Sequence, residues 1–418
     1  MIRDAETETL LQSIVKPLFR AAGLDTGMLR IMLVRDRAIN AFVGSGNRMF
    51  VHTGLLARAN SAREIAGTLA HETAHVAHGD MSRLPELSRD ALISSLGGLL
   101  IAAAAGVASG NPGVGVGAAL GGMSMTQRHL LSFSRGQEEK ADESGLRYLD
   151  KLGWPSSGLL DLFAKLEQEE ALVINRSDPY LITHPMTQDR LGFVRRHVEA
   201  TASRGFALPA TLETNVRMIQ AKLAGFLDPP AAVTRAYPTS DNSAPARYAR
   251  AALEHRLAHR EHAVWLLDGL RREQPGNPWL LELKGQILFE SGQVRAAIAP
   301  YTESVRLAPE QPLLRQALGH AMIETNDRAL LQQAISHLRV AHTQDREDDA
   351  TWHLLGIAWG RLGEMGEANL ALAEEAMLAN DIPLARRFAR QAAEALPPGP
   401  SKLRALDISN AVKKENRQ

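Results

Sequence analysis

The chain contains no cysteine among its 418 residues. Disulfides and thiolate metal ligands are therefore excluded, and any metal site must draw on nitrogen and oxygen donors, while the redox compartment goes unmarked. No charge of one sign is in excess: 47 Lys and Arg balance 47 Asp and Glu. That balance, with no run of Lys or Arg, gives no electrostatic grip on nucleic acid, which is excluded as a partner, and no basic patch for an anionic membrane surface. Long apolar runs are scarce as well. The most hydrophobic stretch is 91–125, with Leu92-Ile93-Ser94-Ser95-Leu96-Gly97-Gly98-Leu99-Leu100-Ile101 and then Ala and Gly runs broken at Asn111-Pro112-Gly113. Its first arm falls short of the about 20 apolar residues that a spanning helix needs. Two short arms around a turn predict a buried helical hairpin that can serve as a lid, with peripheral membrane contact as the alternative. The opening Met1-Ile2-Arg3-Asp4 lacks the apolar core of a signal peptide.

What is present points to metal chemistry. His71-Glu72-Thr73-Ala74-His75 places two histidines four residues apart. On a helix that step returns both imidazoles to nearly one face, where they can share an ion, and sets Glu72 beside it as a general base for a water the ion acidifies. The helix is signalled by Ser61 and Glu64 as a capping box, by Ile65, Leu69 and Val76 as apolar positions, and by Gly79 as a stop. The alternative is a pair of partly buried histidines on an amphipathic helix. A third His six residues past His75 is excluded, since Met81 stands there, and His78 is read as structural.

A second helix is predicted from Ser134 to about Asp150, opened by the capping-type pair Ser134 and Gln137. Glu138, Ala141, Asp142, Gly145 and Leu149 share one of its faces, and carboxylates on an apolar face need a metal or a strong hydrogen-bond partner. Glu138 is the candidate third zinc ligand. Asp142, one turn on, is placed to accept the far N–H of a ligating histidine. Glu139, Lys140 and Glu143 read as an ordinary charged surface.

The order His71-Glu72-x-x-His75, an apolar Gly/Ala-rich stretch, Ser134-Arg135-x-x-Glu138-x-x-Ala141-Asp142-x-x-Gly145, then Thr183-His184-Pro185 and Arg190, resembles the HtpX and CAAX prenyl protease peptidase family. Arg3-Asp4-Ala5-Glu6-Thr7-Glu8, Ala21-Ala22-Gly23-Leu24, Asn40-Ala41-Phe42 and Thr53-Gly54-Leu55-Leu56 are similar to its soluble bacterial branch, which couples the peptidase to tetratricopeptide repeats. The resemblance spans essentially the whole chain. It implies a gluzincin fold with one Zn2+ per chain, ligands His71, His75 and Glu138, and Glu72 as base. It also implies that His184 is a loop histidine able to occupy the open zinc position as a latch; the alternative is that His184 stabilises the tetrahedral intermediate, with Arg190 nearby. Members of this branch are exported, so the resemblance implies a periplasmic location. It further implies unfolded or misassembled outer-membrane proteins as substrates and the outer-membrane assembly machinery as a partner of the repeats.

Ahead of the zinc helix, Arg30-Ile31-Met32-Leu33-Val34 and Arg48-Met49-Phe50-Val51-His52 flank the turn-rich Gly44-Ser45-Gly46-Asn47 and predict a small antiparallel β-hairpin. The edge strand for an extended substrate is expected at Arg48 to His52. Further on, Ala251, Gly285 and Gly319 recur every 34 residues, as do Pro275 with Pro309 and Ala263 with Ala297, which is the tetratricopeptide period. Trp352-x-x-Leu355-Gly356-x-x-Trp359 and Ala368 continue it after an insertion around Asp327 to Leu331. The expected architecture is mainly α: a peptidase domain over 1–226, a linker over 227–245, an α-solenoid of repeats over 246–400 and a polar tail over 401–418. The expected activity is zinc-dependent endopeptidase hydrolysis, with the repeats recruiting substrate or partner. A latched or weakly active chaperone or scaffold, and a membrane-associated protease, are the alternatives.

Overall fold

The computed structural model describes residues 1–44, 48–80, 135–172, 184 and 187–411. The apolar hairpin expected over 91–125 lies outside them. Among the described residues no helix is long and apolar enough to cross a membrane. The chain divides into two compact units, Met1–Gln220 and Ala221–Gln418.

The first unit is built on α1 (Ala5–Ala22). Asp4 caps it by accepting from the Thr7 amide at 2.8 Å, and Gly23 ends it in the left-handed region at φ 77°. Its buried stripe of Leu11, Ile14, Val15, Leu18 and Phe19 packs on α3 (Ala62–His78). Three strands precede α3: β1 (Arg30–Val34), β2 (Ala41–Gly44) and β3 (Arg48–His52), in the order β1-β3-β2. This corrects the expected hairpin. Arg48–His52 is the central strand, paired parallel to β1 and antiparallel to β2, so the antiparallel partner is Ala41–Gly44. The short β2 was hidden because Gly44 reads as a turn residue. In the fold it pairs with Arg48, and a Cβ there would come within 2.7 Å of the Phe50 ring, which stacks on Phe42. β1 and β2 are the two edges of the sheet; Ile2 makes one isolated bridge to Leu33 on β1, and no residue pairs with the outer side of β2 among the described residues.

After α2 (Thr53–Arg58), α3 begins without the expected capping box. Ser61 makes no side-chain cap; Glu213 of α7 (Ala210–Leu227) accepts from the Ala62 amide at 2.8 Å instead, and Glu64 accepts from the Asn60 amide. Gly79 ends α3 at φ 67°, as its stop signal predicts. Helix α4 covers 135–152, followed by α5 (Ser157–Leu172) and α6 (Gln188–Thr201). Glycines set how closely these helices approach. A Cβ at Gly67 would lie 2.5 Å from the Leu159 amide nitrogen, and one at Gly145 would lie 3.1 Å from the backbone of Ala70 and His71. Hence α4 and α5 pack almost backbone to backbone on α3.

The second unit is a stack of helix pairs. From α9 (Ala244–Arg256) and α10 (Arg260–Glu273) it continues through α11 (Pro278–Glu290) and α12 (Val294–Leu307), α13 (Pro312–Glu324) and α14 (Arg328–Gln344), α15 (Asp349–Leu362) and α16 (Met365–Leu378), to α17 (Ile382–Ala395) and α18 (Pro400–Ala411). Each packs on its successor, and α11, α13 and α15 also touch in turn, the neighbour-only contacts of an α-solenoid. The recurring glycines have a packing reason: a Cβ at Gly285, Gly319 or Gly356 would press on Tyr301, Leu338 or Leu372 of the partner helix. The insertion lengthens α14, which has 17 residues where α10 and α12 have 14.

Two expectations change here. The stretch read as linker contains α8 (Pro230–Ala236), with Val233 buried and Pro230 at the first helical turn, where its missing N–H costs nothing. The stretch read as polar tail contains α18, whose Ala405 and Ile408 are buried with Ala389, Ala392 and Leu396, because the last pair otherwise leaves its apolar face in water.

Candidate metal centre

Helix α3 carries His71, Glu72 and His75 into the interior, at 0%, 1% and 8% exposure. The close approach permitted by Gly145 brings α4 alongside, with Glu138 and Asp142 buried and Glu139, Lys140 and Glu143 outside. His184 joins them, also buried, while Thr183 and Pro185 lie outside the described residues. One donor atom from each of His71, His75, Glu138 and His184 falls within 4.8 Å of all the others.

The imidazoles converge through specific atoms. His71 Nε2 and His75 Nε2 are 3.1 Å apart, and His184 Nδ1 is 3.3 Å from His71 Nε2 and 3.1 Å from Glu138 Oε1. Glu138 also lies 3.3 Å from His71 Nε2 and 3.4 Å from His75 Nε2. The far nitrogens face carboxylates. His71 Nδ1 is 2.9 Å from Asp142 Oδ1, an ion-pair distance whose angle falls short of a hydrogen bond, and His75 Nδ1 is 2.8 Å from Asp80 Oδ2. Those carboxylates favour a proton on each Nδ1, which aims the two Nε2 atoms at each other, where they can share a cation or a proton. Lone pairs at 3.1 Å repel unless a cation or proton lies between them. Glu72, Asp80, Glu138 and Asp142 outnumber Arg190 as fixed charges by four to one. Three imidazole nitrogens, a carboxylate and surplus negative charge fit a divalent cation of borderline softness.

Proton affinities of the metal-free site follow the same contacts. Burial lowers the His75 pKa, but hydrogen bonds to Asp80 and Glu138 outweigh it and push it up to about 10. His71 is also raised, burial being overcome by Asp142 and Glu138. Burial opposes ionisation of Glu138, yet hydrogen bonds with His184, His71 and His75 hold its carboxyl far below the usual range. Asp142 is likewise depressed, by His71 and Arg190 against burial.

Arg190, expected near His184, reaches the cluster from α6. Thr187 caps α6 by accepting from the Arg190 amide, and the side chain runs inward at 1% exposure, its guanidinium carbon 5.2 Å from the Phe163 ring centroid. Nε and Nη2 grip Asp142 at 2.7 and 2.9 Å, and Nη1 reaches Glu138 Oε2 at 3.0 Å. It holds two carboxylates of the site. Glu72 keeps Oε1 buried and without a hydrogen bond among the described residues, with His184 Nε2 3.4 Å away. His78 stays outside the cluster, 3.1 Å from Ser144 Oγ. Gln137, expected to cap α4, donates to Asp80 at 2.9 Å, and its expected partner Ser134 lies outside the described residues. Asp80 is the site residue missed from sequence; its one signal is an acid directly after the Gly79 stop.

A family model described as peptidase family M48 matches residues 5–198. The beta-barrel assembly-enhancing protease of Yersinia pestis is 24% identical over 84% of this chain and 71% of its own length. The putative beta-barrel assembly-enhancing protease of Vibrio cholerae serotype O1 is 27% identical over 87% of this chain and 74% of its own. Protease HtpX of Legionella pneumophila (strain Corby) is 30% identical over 46% of this chain and 72% of its own.

Proposed function

The chain belongs to peptidase family M48 and is a metalloendopeptidase, and from that premise we propose that it is a zinc enzyme cleaving misfolded or misassembled β-barrel proteins of the outer membrane. The observation that carries the zinc reading is the convergence of His71, His75 and Glu138, with the two imidazole Nε2 atoms 3.1 Å apart. When bound there, zinc supplies polarisation of the scissile carbonyl and acidification of a water molecule.

The protein's own groups do the rest. Glu72, buried with an oxygen that makes no hydrogen bond among the described residues, takes the proton from water and returns it to the departing amine nitrogen. Arg190 fixes the Glu138 and Asp142 carboxylates, and Asp142 fixes the ring of His71. An extended substrate adds to the sheet at β2, an edge strand whose outer side is unpaired among the described residues, and its backbone pairs there whatever its side chains. His184 serves as a latch: its Nδ1 sits among the ligand atoms, at the position a substrate or water needs. The helix pairs of the second unit recruit substrate or the assembly machinery. The likeness to the Yersinia and Vibrio beta-barrel assembly-enhancing proteases supports β-barrel assembly as the setting, and a periplasmic location goes with that setting.

Proteolysis of an unfolded outer-membrane β-barrel protein separates these claims. Glu72→Gln is expected to bind one zinc and cleave at least about 100-fold more slowly, the usual scale of a lost general base. Cleavage at the wild-type rate by zinc-loaded Glu72→Gln would refute the mechanism. His184→Ala is expected to cleave faster than wild type, and a variant no faster removes the latch.

A further inference from the structure

The two zinc-helix histidines are held by carboxylates of different kinds. Asp142, behind His71, is fully buried and gripped by a guanidinium fork. Asp80, behind His75, is also close, with Oδ2 2.8 Å from Nδ1, but among the described residues its other oxygen is held only by the neutral amide of Gln137 at 2.9 Å. Asp80 stands just beyond the end of α3, and Gln137 lies in the first turn of α4, next to Glu138. One carboxylate therefore touches the ring of one candidate ligand and the side chain of the residue next to another.

We propose that Asp80 and Gln137 form a positioning pair that orients His75 and sets its register against Glu138, so that zinc affinity depends on a contact between the ends of α3 and α4. This rests on the zinc reading above. The physical basis is twofold. A carboxylate on Nδ1 fixes the tautomer that presents the Nε2 lone pair, and its charge raises the basicity of that nitrogen. The second oxygen, accepting from Gln137, stops the carboxylate from rotating off the ring. Without the pair, His75 is free to turn and Glu138 keeps only its contacts with the imidazoles and Arg190.

Zinc affinity of the full chain, measured by competition with a chromophoric chelator at fixed pH, tests the pair with zinc alone as the probe. Asp80→Ala is expected to lose about 10–100-fold, the range for such outer partners. Asp80→Asn, whose amide oxygen still accepts from Nδ1–H, is expected to lose less. Gln137→Ala is expected to weaken binding in the same direction, by less than Asp80→Ala. Thermal melting of the metal-free variants shows whether the fold is kept; if Asp80→Ala does not fold, Asp80→Asn and Gln137→Ala decide. Affinities of the folded variants within threefold of wild type overturn the proposal. A wild type that binds no zinc overturns the zinc reading itself, and the pair with it.

Discussion

Replacing Arg190 with Met removes the charge that holds two buried carboxylates and keeps an apolar chain against Phe163. Three nitrogens of Arg190 bond to Asp142 and Glu138 at 2.7 to 3.0 Å, between side chains exposed by 1%, 0% and 4%. Water does not reach that space to take over the bonds. Removing one partner of a buried pair costs about 3–5 kcal/mol, because the charge left behind has lost its compensation. Asp142 retains His71 and Glu138 retains the imidazoles, so the lower end, about 3 kcal/mol, is expected for the metal-free chain. Urea unfolding near neutral pH measures it, with hydrogen exchange in 135–152 localising the loss to the first unit. Arg190→Lys keeps a charge but not the fork and is expected to fall between Met and wild type. In a double-mutant cycle, Arg190→Met and Asp142→Asn are expected to couple by at least about 1 kcal/mol, since the second change removes the charge that the first left stranded. A loss below about 1 kcal/mol for Arg190→Met, or losses that simply add, would show that Arg190 does not hold these groups.

Two further predictions concern pH and the repeat turns. In the metal-free chain His75 has its pKa raised from 6.5 to about 10, so its protonated form contributes stability that is fully present below pH 6.5 and is lost as pH rises through about 10. Zinc must displace that proton, so the stabilisation by added zinc is expected to grow between pH 6 and 9, and melting temperatures with and without zinc across that range check it; a zinc effect that shrinks with rising pH refutes the assignment. In the solenoid, the turn inside each of the first four pairs places a residue in the left-handed region, at Ala258, Gly292, Asn326 and Gly363, with φ of 61°, 78°, 53° and 87°. Ala258→Gly is expected to gain about 1 kcal/mol and Gly292→Ala to lose about as much, since a Cβ is strained there; urea midpoints that move in neither variant would show that these turns carry no strain.

Much of the site was legible because helical period fixes which residues share a face. His71 and His75 four apart, and Glu138 and Asp142 four apart, meet on the buried sides of α3 and α4 as their spacing requires, while Glu139, Lys140 and Glu143 face outward. The 34-residue recurrence of Ala251, Gly285 and Gly319 was readable for a related reason, since each partner helix needs a small residue at the same place.

The chain by itself thus determined the local matters: which helices form, which faces are apolar, which donors can ligate, and the ban on sulfur. Contacts between residues far apart in sequence were decided only by the tertiary structure. It made Arg48–His52 the central strand, because parallel pairing with β1 leaves no periodic trace in either strand. It capped α3 with Glu213, drawn from 151 residues beyond that helix's first residue in place of the nearby Ser61. It also turned Arg190 inward onto Asp142 and Glu138 and set Asp80 behind His75. A hydrogen bond across a fold depends on where two backbones meet, and here glycines at 67 and 145 set that distance. A glycine states only that something comes close; the packed chain settles what.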